Sequence, residues 1–225
     1  MSVVSLPLLT TTERQLIAAL ARLRFATRPQ LLYWASVKDL SSITRTTNKL
    51  ASDGWLHVYA ELKPRVYRLT QQARRIVSTA PLSRRFSSMP VIKQHCHKNS
   101  AEIRLRETLP GATFQTRKFC LTHGLNPSVS EYLVKIGDAD FSLALIDDYY
   151  MHSTRIPHAL ARVHTPDSRF FTALQNNVVR RWTDVVSSVL VFSTDSVQAE
   201  KHHAYVTANN INATVEVIEP IWDVI

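Results

Sequence analysis

Ser41-Ser42-Ile43-Thr44-Arg45-Thr46-Thr47-Asn48-Lys49-Leu50-Ala51-Ser52-Asp53-Gly54-Trp55-Leu56 is the stretch from which the rest of the chain is read. Ile43, Thr47 and Leu50 stand at i, i+4 and i+7, the spacing that lays three side chains on one face of a helix. Ser41 offers a side-chain oxygen to the free N–H groups of a first turn and is the expected N-cap. Gly54 marks the stop, and Trp55-Leu56-His57-Val58-Tyr59 has the composition of a strand. The inward set leaves Thr44, Arg45, Asn48 and Lys49 outside, a short polar and cationic face with no acid before Asp53. A helix that meets base edges and phosphates needs that mixture, and an ordinary solvated helix face also carries it. The flanking segments separate the two.

Upstream, Thr11-Thr12-Glu13-Arg14 is the start of a first helix, carried by Leu16, Ile17, Leu20 and Leu23. After a short break at Phe25-Ala26-Thr27, Thr27 caps a second helix with Pro29 in its first turn, where no N–H is missed. Downstream, Ala60 to Pro64 is a turn, and Arg65-Val66-Tyr67-Arg68-Leu69 alternates as a half-buried strand does. Thr70 then caps a fourth helix over Gln71 to Ser78. The expected order is three helices, a hairpin and a helix.

This order, with RPQLLYWA (28–35), SSITRTTNKLASDGWLHVY (41–59) and PRVYRLTQQARRIV (64–77), resembles a winged helix-turn-helix DNA-binding domain over roughly residues 10 to 80. The resemblance implies a third helix in the major groove and a hairpin wing on the neighbouring backbone. Carried over by position, Ser42, Thr44, Arg45, Asn48 and Lys49 are DNA-binding candidates on the helix, and Lys63 and Arg65 on the wing. Arg45 suits guanine O6 and N7, Asn48 suits adenine, and Lys49, Lys63 and Arg65 suit phosphate.

Charge agrees with a polyanionic partner. The net charge is +9, yet residues 1–90 hold 14 basic and four acidic side chains while residues 91–225 hold 13 and 14. The excess is confined to the part that carries the helix, as a nucleic-acid footprint requires. Hydrophobic residues make up 45%, enough for a sizeable core. Four glycines leave little for phosphate-cradling loops, and no apolar run approaches a membrane span. Two cysteines do not make a disulfide framework, and with no secretory signal in Met1 to Thr10 the expected setting is cytoplasmic.

Residues 81–90 read as a linker, in which Arg84 and Arg85 could add phosphate contacts, and residues 91–225 as an α/β domain for dimerisation or partner binding. Within it, Val91 to Thr108 is an expected helix; Phe114 to Leu121, Glu131 to Ile136, Phe141 to Ile146 and Tyr149 to Ile156 are expected strands. Ser168 to Val186 reads as a long helix, with Phe170, Phe171, Leu174, Val178 and Trp182 at helical spacing. A strand over Ser188 to Ser193, a helix over Val197 to Ala208 and a strand over Thr214 to Ile218 complete the α+β chain.

The whole resembles the replication-relaxation proteins of plasmids and mobile elements, whose second half is similar to a reduced restriction-endonuclease-type fold. An active fold of that kind requires an acidic residue on one strand and Glu/Asp-x-Lys on the next, holding Mg²⁺ and activating water. Asp138 and Asp140 supply the first part, but Tyr149 to Arg155 contains no Glu, Asp or Lys. Asp138, Asp140, Asp147 and Asp148 are therefore read as turn residues.

His95-Cys96-His97 and Cys120-x-x-His123 hold metal-binding residue types. Two histidines at i and i+2 on a helix point apart, so a buried Cys96 with partly exposed histidines is the expectation. No catalytic residue, metal or cofactor is assigned.

The expected function is sequence-specific binding of double-stranded DNA, by a transcriptional regulator or accessory DNA-processing factor of a plasmid, phage or integrative element. The expected form is a homodimer, joined through the Val91 to Thr108 helix or the Ser168 helix, with the α/β half available to a protein partner. The alternative is a Mg²⁺-dependent nuclease or nicking factor using Asp138 or Asp140.

Overall fold

A computed structural model of the chain describes residues 9–37, 39–77, 88–116, 131–137, 141–147, 155–164, 169–172, 179–181 and 186–218. It divides into two compact units between Asn99 and Ser100, inside a helix, rather than at the expected linker 81–90.

The first unit runs α1 (Thr11–Leu23), β1 (Ala26–Thr27), α2 (Arg28–Trp34), α3 (Leu40–Ser52), β2 (Leu56–Tyr59), β3 (Val66–Leu69), α4 (Gln71–Ile76) and the first half of α5 (Met89–Thr108). Each start has a polar cause. Thr10 Oγ1 accepts from Glu13 N–H at 3.3 Å while Glu13 Oε2 accepts from Thr10 N–H at 2.7 Å, a reciprocal capping box. Asp39, not Ser41, caps α3: its carboxylate accepts from Ser42 N–H at 2.7 Å and from Ser41 Oγ at 2.5 Å. An ionised carboxylate outcompetes a hydroxyl for the positive end of a helix. Gly54, at φ 75°, ends α3 in a Schellman turn, with Trp55 N–H donating to Leu50 C=O at 2.9 Å and Gly54 N–H to Ala51 C=O at 3.2 Å.

The break at Phe25 to Thr27 holds a short third strand. β1 pairs antiparallel with β3, Ala26 opposite Tyr67 and Thr27 opposite Val66, and gives the sheet order β1-β3-β2. Leu56, Tyr67 and Leu69 face α1, α2 and α3 in a core with Leu16, Leu20, Leu31, Ile43, Leu50 and Trp55. The opposite face, Tyr59 and Val66, joins Phe25, Leu62, Ile92 and Cys96. The first half of α5 therefore covers the sheet. Gln30 Nε2 donates to Cys96 C=O at 2.6 Å and Asn99 Nδ2 to Phe25 C=O at 2.7 Å, fixing it there.

The second unit holds the rest of α5, β4 (Thr113–Phe114), β5 (Glu131–Lys135), β6 (Phe141–Ile146), α6 (Arg155–His164), β7 (Arg169–Thr172), β8 (Val179–Arg181), β9 (Val186–Ser193), α7 (Ser196–Ala208) and β10 (Ala213–Val217). Its main sheet has the order β10-β9-β6-β5-β4, with β6, β9 and β10 parallel and β5 antiparallel to β4 and β6. The pleat splits its apolar side chains. Leu143, Leu145, Val189 and Val191 meet Ile156 and Leu160 of α6 and Ala199 and Val206 of α7. Ala144, Ile146 and Phe192 meet Ala101 and Leu105 of α5.

Three expectations are corrected here. Ser168 to Val186 is not one long helix, because Arg169–Thr172 and Val179–Arg181 pair as antiparallel strands. That removes the Ser168 helix as a dimerisation element. Of the strand expected over Tyr149 to Ile156, residues 149–154 lie outside the described residues, and Arg155 and Ile156 open α6, whose third residue, Pro157, sits in the first turn where no N–H is lost. β4 is two residues long, and the remainder of the Phe114 to Leu121 strand beyond Thr116 lies outside the described residues.

Candidate nucleic-acid interface

Helix α3 turns Ile43, Thr47 and Leu50 inward, each with no exposed surface. The 100° step between residues then sets Ser41, Arg45, Asn48 and Ser52 on the outward side, all exposed. Lys49 lies at its border, also exposed. Ser42 and Thr44 are half-buried flanks. Thr44 Oγ1 donates back to Leu40 C=O at 2.8 Å, which commits its hydroxyl to the helix.

The two cations of the helix differ. Among the described residues Arg45 makes no hydrogen bond or ion pair, and its fork is free toward solvent. Lys49 Nζ lies 2.5 Å from Glu13 Oε1, whose side chain is 3% exposed. The hydrogen bond from Lys49 is the largest cause holding the Glu13 carboxyl below its usual range, ahead of the bond from Thr10. The same contact raises the Lys49 amine. Lys49 thus ties α3 to the capping box of α1.

Asn48 is exposed but engaged: Arg28 Nη2 donates to its Oδ1 at 3.0 Å. Arg28, in the first turn of α2, also lies with its guanidinium 5.5 Å from the Tyr67 ring centre. Asp39 adds an acid at the tip of the helix. Its carboxyl is held below the usual range first by Ser41, then by the Ser42 N–H, with the Arg45 charge contributing. Lys63 and Arg65 are exposed on the β2–β3 loop, either side of Pro64, and neither has an ion pair among the described residues.

Sequence reading missed Ser41 and Ser52 as outward residues, although projecting the helix at 100° per residue finds both. Arg28 lies 20 residues from Asn48 and Glu13 lies 36 from Lys49, and no local pattern reveals such pairs.

Among the described residues the histidine–cysteine run on α5 joins no cluster of metal-binding side chains. Cys96 is fully buried, which pushes its thiol pKa up. His97 is 4% exposed, correcting the expectation of a partly exposed side chain. His95 stacks at 5.6 Å on Phe25; burial, then the Arg24 and Lys98 charges, lower its pKa to about 4. Cys120 and His123 lie outside the described residues, and among those described no group of three or more His, Cys, Asp or Glu side chains could hold a metal.

In the second unit Asp147 is not a solvated turn residue. It is 9% exposed, continues β6 on the α7 face, and its Oδ2 lies 3.3 Å from Nε2 of His202, which is 1% exposed. Asp138, Asp140 and Asp148 lie outside the described residues. Among the described residues no helix is long and apolar enough to cross a membrane. No protein-family model matches the chain, and no curated protein matches it.

Proposed function

We propose that the chain is a sequence-specific double-stranded DNA-binding protein, acting as a transcriptional regulator or accessory DNA-processing factor of a plasmid, phage or integrative element. The observation that carries this reading is the outward side of α3: Ser41, Arg45, Asn48 and Ser52 exposed together, with Arg45 unpaired among the described residues. An exposed guanidinium with no hydrogen bond or ion pair among the described residues suits a bidentate contact to guanine. The order of elements from α1 to α4 supports a winged helix-turn-helix, with α3 in the major groove and Lys63 and Arg65 meeting phosphate from the β2–β3 loop. The sheet order β4-β5-β6-β9-β10, flanked by helices on both faces, supports likeness of the second unit to a restriction-endonuclease-type fold without its chemistry. Tyr149 to Arg155 offers no Glu, Asp or Lys to complete a Mg²⁺ site with Asp138 or Asp140, so the proposal includes no catalytic step, metal or cofactor. The reading places the protein in the cytoplasm as a homodimer on a palindromic site.

Selection of bound fragments from random duplex DNA tests it. Enrichment of a defined motif, with binding to that motif weakened by Arg45→Ala, is the expected outcome. No enrichment sinks the proposal, and cleavage of supercoiled DNA with Mg²⁺ that vanishes in Asp140→Asn transfers it to the nuclease class.

A further inference from the structure

We propose that Arg28 fixes Asn48 as a hydrogen-bond donor toward DNA, so that residue 48 selects a guanine or thymine edge and not adenine. This rests on α3 being the helix that meets DNA. An arginine guanidinium has five donors and no acceptor. Its 3.0 Å contact with Asn48 therefore sets the amide orientation, oxygen toward Arg28 and nitrogen away from it. Reversing the amide would set two donors, one of them charged, against each other.

Arg28 is itself constrained. It sits half-buried in the first turn of α2, with its guanidinium over Tyr67, a side chain 1% exposed. Asn48 is exposed, and its amide nitrogen is left with two hydrogens to give to a partner outside the fold. Guanine N7 and O6 and thymine O4 accept such hydrogens in the major groove, whereas adenine accepts only at N7 and sets its N6 donor beside it, against a second amide hydrogen. Cytosine presents its N4 donor there. The two-point contact with adenine needs the amide oxygen and nitrogen side by side on one base. In this fold Arg28 takes one lone pair of that oxygen and turns it toward α2, which fixes the plane of the amide. The assignment of Asn48 to adenine, natural from the sequence alone, is thereby replaced, and Arg28 becomes a positioning residue for specificity.

The test uses the full chain and random-site selection, with Asn48→Ala first identifying the base position that residue 48 reads. The wild type is expected to select guanine or thymine there. Arg28→Ala frees the amide and is expected to move that position toward adenine, with roughly tenfold loss of the original preference. Arg28→Lys, which still donates, keeps the wild-type base. Asn48→Asp keeps the pairing with Arg28 but offers only acceptors, and is expected to move the position to cytosine, an effect that loss of folding cannot imitate. Adenine selected by the wild type, or an unchanged base preference with uniformly weaker binding in Arg28→Ala, overturns the inference. A defined site that Asn48→Ala leaves unaltered but Arg45→Ala weakens overturns this inference and leaves the functional reading of α3 standing. Absence of salt-dependent binding to any duplex overturns this inference and the functional reading together.

Discussion

Charge is used differently in the two units. From Ser100 onward, Arg106 lies 3.1 Å from Glu102, Arg104 lies 4.0 Å from Glu216, and His202 meets Asp147. In the first unit Arg45, Lys63 and Arg65 are exposed and make no ion pair among the described residues, while Lys49 is paired with the buried Glu13. The described pairs of the second unit join side chains within its helices or between helix and sheet. The three exposed cations of the first unit stay open to solvent. The contrast even runs along one helix, where Arg45 and Lys49 stand four residues apart: one free, the other spent on the capping box of α1.

That contrast can be broken by substitution. The largest expected effect is Leu50→Ala, which empties a fully buried site beneath α3. It should cost about 3 kcal/mol of stability by urea denaturation, with DNA affinity lost as the helix loosens. His95 gives the next effect. The fold lowers its pKa to about 4, so the unfolded chain takes up a proton near pH 6.5 that the folded chain refuses. Stability from this term is fully present above about pH 6.5 and is lost as pH falls toward 4, by about 1.4 kcal/mol per pH unit. His95→Gln should flatten the urea midpoint between pH 6.5 and 4.5; an unaltered slope would contradict the buried neutral imidazole.

His202→Ala sharpens the comparison from the other side. It leaves the Asp147 carboxylate without its partner in a site 9% exposed and should cost about 2 kcal/mol, yet folded protein should bind DNA as before. Arg45→Ala should do the reverse, changing stability by less than about 0.5 kcal/mol while weakening the specific complex roughly tenfold. Smallest are Lys63→Ala and Arg65→Ala, each expected to lower the salt slope of binding by about one, with little change in base preference.

The first unit was the more legible in sequence because its signals are local. Helical spacing of Ile43, Thr47 and Leu50, the stop at Gly54 and the cap at Thr70 each lie within a few residues of what they control, whereas the Thr27 hydroxyl expected to cap α2 makes no capping hydrogen bond. β1 escaped because two residues carry no periodicity, and its strand character comes from pairing with residues 40 positions away. Asp39 escaped as the cap because Ser41 and Ser42 are equally good cap types in the same window. In the second unit, aromatic and β-branched residues between Ser168 and Val186 fall at helical spacing by coincidence. Those at Phe170, Phe171 and Val179 are also good strand formers, and cross-strand pairing decided the outcome. At the candidate site, residue types and exposure on α3 could be read from the sequence, whereas the partners that commit Lys49 and Asn48 could not.

The central claim is that the unpaired cationic side of α3 is a DNA-reading surface, and titration of the wild type and Arg45→Ala against a selected duplex at several salt concentrations tests it most directly. The expected result is wild-type affinity that falls steeply and linearly with salt on logarithmic axes, with the Arg45→Ala line displaced to weaker binding and its loss confined to the selected sequence. Binding that ignores salt, or an Arg45→Ala line that superimposes on the wild type, would contradict the account.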